Sequence, residues 1–92
     1  MLTKEVTIRN ASGFHIRPAQ LFTEKATTFQ SKIKVNFHKE SDTVEADGKS
    51  ILGLMTLGLE KGSVITLSAD GPDEREALDS LVELVESGFG EA

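Results

Sequence analysis

Residues 63–88, "SVITLSADGPDEREALDSLVELVESG", decide the fold because the apolar period changes in the middle of them. Ile65, Leu67 and Ala69 alternate with polar neighbours, the repeat of a strand with one buried face. A helix start follows. Pro72 sits near N1, where a missing N–H costs nothing, and acids crowd the first turn. Leu78, Leu81, Val82 and Val85 then make an apolar stripe at helical spacing, and Gly88 stands past its end. A half-buried strand feeding an amphipathic helix must bury both apolar sides against a second layer.

The same two periods recur upstream. Val6 and Ile8 alternate within residues 5–9, and "NASG" at 10–13 has turn chemistry. Ala19, Phe22, Ala26 and Phe29 predict an amphipathic helix over 18–29. Ile33, Val35 and Phe37 give a second strand, "HKESD" a polar turn holding His38, and "TVEA" at 43–46 a short third strand. Ser50 can cap and Gly58 can end a short apolar helix of about two turns. The order is β-α-β-β-α-β-α, with no linker or repeat. It predicts an α+β fold of two layers, an antiparallel or mixed sheet with helices on one face, and a single domain over residues 1–92.

Composition narrows the function. Ten Lys and Arg stand against 15 Asp and Glu, a formal charge of -5 that argues against a nucleic-acid binder. The chain lacks cysteine, so disulfides and thiolate metal sites are excluded, and its two histidines share no ligand spacing. "MLTKEVTIRN" has no apolar leader core, and nothing later approaches a membrane span. The expectation is a cytoplasmic protein with no membrane insertion, no metal and no cofactor.

Two motifs carry chemistry. In "NASGFHIRPAQ", residues 10–20, His15 falls within or just before the first turn of a helix that Pro18 helps to place, with Arg17 at the boundary. The free N–H groups of that turn and the guanidinium of Arg17 favour an anion, and Gly13 permits a tight approach. Imidazole can carry such an anion as a phosphoramidate. In "GKSILGLMTLG", residues 48–58, Ser50 opens a helix that is apolar nearly all round. With Leu54 and Leu57 turned to the core, Ile51, Leu52 and Met55 are left partly outside as a docking patch. Phosphate on Ser50 would be tolerated at a helix start and would place about two negative charges beside that patch.

"GFHIRPA" resembles the active-site motif of the HPr family, the histidine phosphocarriers of the bacterial phosphoenolpyruvate-dependent phosphotransferase system. "KSILGLMTLG" is similar to that family's regulatory serine site, and the resemblance covers essentially the whole chain. It implies an open-faced β-sandwich, a four-stranded antiparallel sheet with three helices on one face. It further implies that His15 receives phosphate on Nδ1 from phosphorylated enzyme I and gives it to the IIA domain of a sugar permease. Arg17 would stabilise the phosphoryl group. Ser50 would be modified by an HPr kinase/phosphorylase, and Ile51, Leu52 and Met55 would meet enzyme I, that kinase and, in some bacteria, a catabolite-control repressor. The expected cradle and partner surface comprises Ser12, Gly13, Ile16, Pro18 and Gln20 around the histidine, and Lys49, Ile51, Leu52 and Met55 around the serine.

Phe14 replaces the family's common leucine, and "FHKESDTVEADG" looks longer than the usual turn between strands two and three, away from the chemistry. The carrier role implies a monomer acting as a phosphorylated intermediate and not as an enzyme. Three other readings compete with it. NPr of the nitrogen-related branch has some of the flavour of "DGPDEREAL" and "ESGFGEA", whereas "KSILGLMTLG" sides with HPr. A regulatory HPr-like docking protein would have lost the histidine. A self-sufficient enzyme with a histidine nucleophile would need a second acid–base group and a pocket.

Overall fold

The computed structural model describes residues 1–10, 16–38 and 42–90. Its elements are β1 (Leu2–Thr7), α1 (Ile16–Thr27), β2 (Lys32–His38), β3 (Thr43–Asp47), α2 (Ile51–Met55), β4 (Val64–Asp70) and α3 (Glu74–Glu86), followed by a 3₁₀ turn over Gly88–Gly90. The four strands form one antiparallel sheet in the order β1-β4-β2-β3.

The register explains why the sheet has one dry face. Val6, Ile65, Phe37 and Val44 lie opposite one another across the strands and make one apolar row. The neighbouring row on the other face reads Glu5, Thr66, Asn36 and Glu45, and the next Thr3, Ser68, Lys34 and Asp47. Side chains alternate across a strand, so each helix packs on the first face and the second stays polar and open. Ala19, Phe22 and Ala26 of α1, Leu54 of α2, and Ala77, Leu78, Leu81, Val82 and Val85 of α3 fill the space between the layers. Phe22 is fully buried, and truncating such a ring to alanine costs about 3–5 kcal/mol. The expected β-α-β-β-α-β-α order and the antiparallel sheet carrying three helices are present.

Several boundaries differ from the sequence expectation. α1 starts at Ile16, so Arg17 is its second residue and not its boundary; Pro18 is third, still inside the turn whose N–H groups lack helical acceptors. Its other end comes early, at Thr27, and Phe29 lies half-buried in the turn beyond. α2 is only five residues long. His38 ends β2 instead of sitting in the turn, because it pairs with Thr43. Pro72 is not at N1 but precedes the N-cap Asp73, whose φ of -114° and ψ of 28° are not helical. Asp73 does not cap its own helix. Its carboxylate accepts from the N–H groups of Gln30 and Ser31, each at 2.9 Å, and from the Ser31 hydroxyl. Gly71 packs on the same point: a Cβ there would lie 2.7 Å from Ser31 Cα. Among the described residues no helix is long and apolar enough to cross a membrane.

Candidate phosphotransfer site

His15 is the residue immediately before the first residue of α1, and with Ser12, Gly13 and Phe14 it lies outside the described residues. What surrounds that position in the chain is described. Pro18 and Ala19 are buried and tie the opening turn of α1 to the core, while Ile16 and Arg17 are exposed. The Arg17 guanidinium makes no hydrogen bond or ion pair with a described residue. The opening turn therefore offers free backbone N–H groups and an uncommitted cation, both complementary to a phosphoryl group. Gln20 lies one turn on, half-buried, its Nε2 donating to Glu24 Oε1 at 3.5 Å.

The second motif is built on α2, which packs beside α1. Ser50 is its N-cap, with φ -115° and ψ 112°, and the hydroxyl accepts from the Gly53 N–H at 3.1 Å. Glycine suits position 53, because a Cβ there would stand 3.3 Å from Ser50 Oγ. The helix divides as its pattern predicts: Leu54 and Leu57 are buried, whereas Ile51, Leu52 and Met55 are exposed, Leu52 by 75%. The large apolar side chains exposed among the described residues are Met1, Ile16, Ile51, Leu52, Met55 and Val64, and four of these belong to α1 and α2. An apolar rim thus accompanies Arg17 and Ser50.

Lys49 is placed differently from its neighbours. Its N–H donates to Asp47 Oδ1 at 2.9 Å, and its ammonium donates to the Phe29 carbonyl at 2.8 Å. That ammonium closes the far end of α1. The clasp between Asp73 and Gln30–Ser31 escaped sequence reasoning, since its partners stand over forty residues apart and carry no local signal. His38, given no role, has both ring nitrogens near hydroxyls on the open sheet face, Nδ1 3.1 Å from Thr43 Oγ1 and Nε2 3.2 Å from Thr66 Oγ1. No group of three or more His, Cys, Asp or Glu side chains suited to a metal occurs among the described residues.

The family model described as "PTS HPr component phosphorylation site" matches residues 2–87. The chain belongs to the PTS HPr family. Its members named below are phosphocarriers. The chain is 41% identical over 91 residues to the phosphocarrier protein HPr of Cupriavidus necator, covering 99% of this chain and 98% of that protein. To the phosphocarrier protein NPr of Proteus mirabilis it is 40% identical over 88 residues, covering 96% and 94%. A crystal structure of HPr from Thermoanaerobacter tengcongensis superposes with a TM-score of 0.87 at 46% identity, covering 100% of this chain and 99% of that one. The HPr fold accounts for the element order and the sheet described above.

Proposed function

We propose that this protein, acting as a single HPr-like domain, accepts a phosphoryl group on His15 from phosphorylated enzyme I and passes it to IIA domains of sugar permeases. The observation that carries the reading is the start of α1 at Ile16. It puts the motif histidine at the positive end of a helix, next to the unpaired cation of Arg17. In this reading the imidazole is the nucleophile, the phosphorus–oxygen bond to the donor breaks as the phosphorus–nitrogen bond forms, and Arg17 balances the charge. The protein is a carrier and not an enzyme, because the donor or acceptor completes the site.

Ser50 is the regulatory position. Phosphate there would cap α2 and set negative charge beside Ile51, Leu52 and Met55, changing which partner the rim accepts. An HPr kinase/phosphorylase and a catabolite-control repressor are the partners to try against it.

The protein is incubated with phosphoenolpyruvate and enzyme I, then weighed intact before and after mild acid, beside His15→Ala. One acid-labile phosphate, absent from the variant, is the expected result; none on either protein sinks the reading. The nearly equal identities to HPr and NPr leave room for the nitrogen-related branch. Faster loading by that branch's enzyme I than by the sugar enzyme would assign the protein there.

A further inference from the structure

The stretch that carries His15 runs between two fixed points, and one is held by a part of the chain the proposed chemistry does not use. Before it, Ile8 is buried, donates its N–H to the Ser63 carbonyl at 2.8 Å and accepts from the Gly62 N–H at 2.8 Å. Asn10, two residues on, is polar yet only 4% exposed. After it, α1 begins at Ile16 with Pro18 and Ala19 buried. The turn after α3 lies against Asn10: a Cβ built at Gly88 would stand 3.8 Å from Asn10 Cβ and 3.9 Å from its Cα and N.

That turn has an unusual backbone. Gly88 has φ 71°, which suits glycine, but Phe89 has φ 58° and ψ 28°, the left-handed region that side chains disfavour. Its ring is 6% exposed and belongs to the core. A strained residue persists only where its surroundings over-determine it, and such residues collect near functional sites. Here the buried ring fixes Gly88, and Gly88 abuts Asn10.

We infer that Asn10 and Phe89 are positioning residues for phosphoryl transfer: the turn after α3 braces Asn10, and Asn10 fixes where the chain leaves the core toward His15. The inference rests on the His15 reading above. Neither residue is assigned a contact with the phosphoryl group. Their effect is on placement, where displacements on the order of 1 Å cost up to about a hundredfold in rate.

Transfer from phospho-enzyme I is followed by quenched flow for the wild type, Asn10→Ala, Phe89→Ala and Val82→Ala, each well below its unfolding midpoint. The His15 imidazole titration is read by NMR in parallel. Val82→Ala is the control, a core truncation on α3 that lowers stability elsewhere. Asn10→Ala and Phe89→Ala are expected to lower kcat about tenfold or more, with KM within about twofold of wild type, and to move the titration. Val82→Ala should leave both readouts unchanged. Wild-type kcat and titration in Asn10→Ala overturn the inference while leaving the carrier reading intact. A wild-type protein that takes no phosphate removes both. Where Phe89→Ala fails to fold, Phe89→Leu takes its place, and the Asn10→Ala result decides.

Discussion

The two ends of α1 are finished in opposite ways. At its far end the chain spends its polar groups on itself: the Lys49 ammonium holds the Phe29 carbonyl, and the Asp73 carboxylate collects the N–H groups of Gln30 and Ser31. At its start Ile16 and Arg17 face outward, and Arg17 pairs with no described residue. One end is closed by contacts that reach across the sequence; the other is left for a partner. A carrier needs both, because an open end can present a group in one orientation only if the rest of the helix is pinned.

The contrast can be broken most sharply at the open end. Arg17→Ala should cut phosphoryl transfer by about 10²–10³, the cost of removing one charge-stabilising donor. It should shift stability by no more than about 0.5 kcal/mol, as for an exposed side chain. Rapid-quench transfer assays and urea unfolding on the same sample check the pair of effects. An unchanged rate would mean that the free cation serves something else.

The closed end should respond in the reverse sense. Gly71→Ala drives a methyl into Ser31 and should cost about 1–3 kcal/mol in urea unfolding, while transfer measured well below the midpoint stays at the wild-type rate. A fall in rate without a fall in stability would show that the two ends are coupled. Ser50→Ala, which removes the cap on Gly53, should cost about 1 kcal/mol, and Ser50→Asp should recover most of it.

The smallest effect concerns acid. Hydrogen bonds from the Ser31 hydroxyl, and then from the Gln30 N–H, hold the Asp73 carboxyl below the usual aspartate range. A depressed pKa in the folded state means that this contribution is present above the unfolded aspartate value, about pH 4. It is lost as pH falls through the folded value. Asp73→Asn should therefore flatten the acid limb of a stability–pH curve and leave the region above pH about 6 parallel to wild type. An acid limb identical to wild type would show that the clasp is electrostatically idle.

Local patterns read well. The alternation of Ile65, Leu67 and Ala69, the stripe of Leu78, Leu81, Val82 and Val85, the cap at Ser50 and the division of α2 into buried and exposed sides all depend on neighbours a few residues apart. Features set by distant partners did not read. Pro72 has every mark of N1, but Asp73 after it is drawn to Gln30 and Ser31, and the helix waits one residue longer. Lys49 looks like a surface cation until the end of α1 arrives beside it. The motif residues Ser12, Gly13 and His15 were legible through residue type and order, while their placement lies outside the described residues.

The strand order carries a consequence for how the protein is made. β4 lies between β1 and β2 and pairs with both, yet it is the last strand to be synthesised. On the ribosome β1 emerges first and has no neighbour until Val64–Asp70 follows. The β2–β3 hairpin can pair early and locally; closing β1 onto β4 spans nearly the whole chain and carries the larger loop-closure entropy. Assembly of the sheet is therefore a late event in synthesis, and a nascent chain stalled before residue 64 should hold the hairpin but leave its first strand accessible to proteases and chaperones.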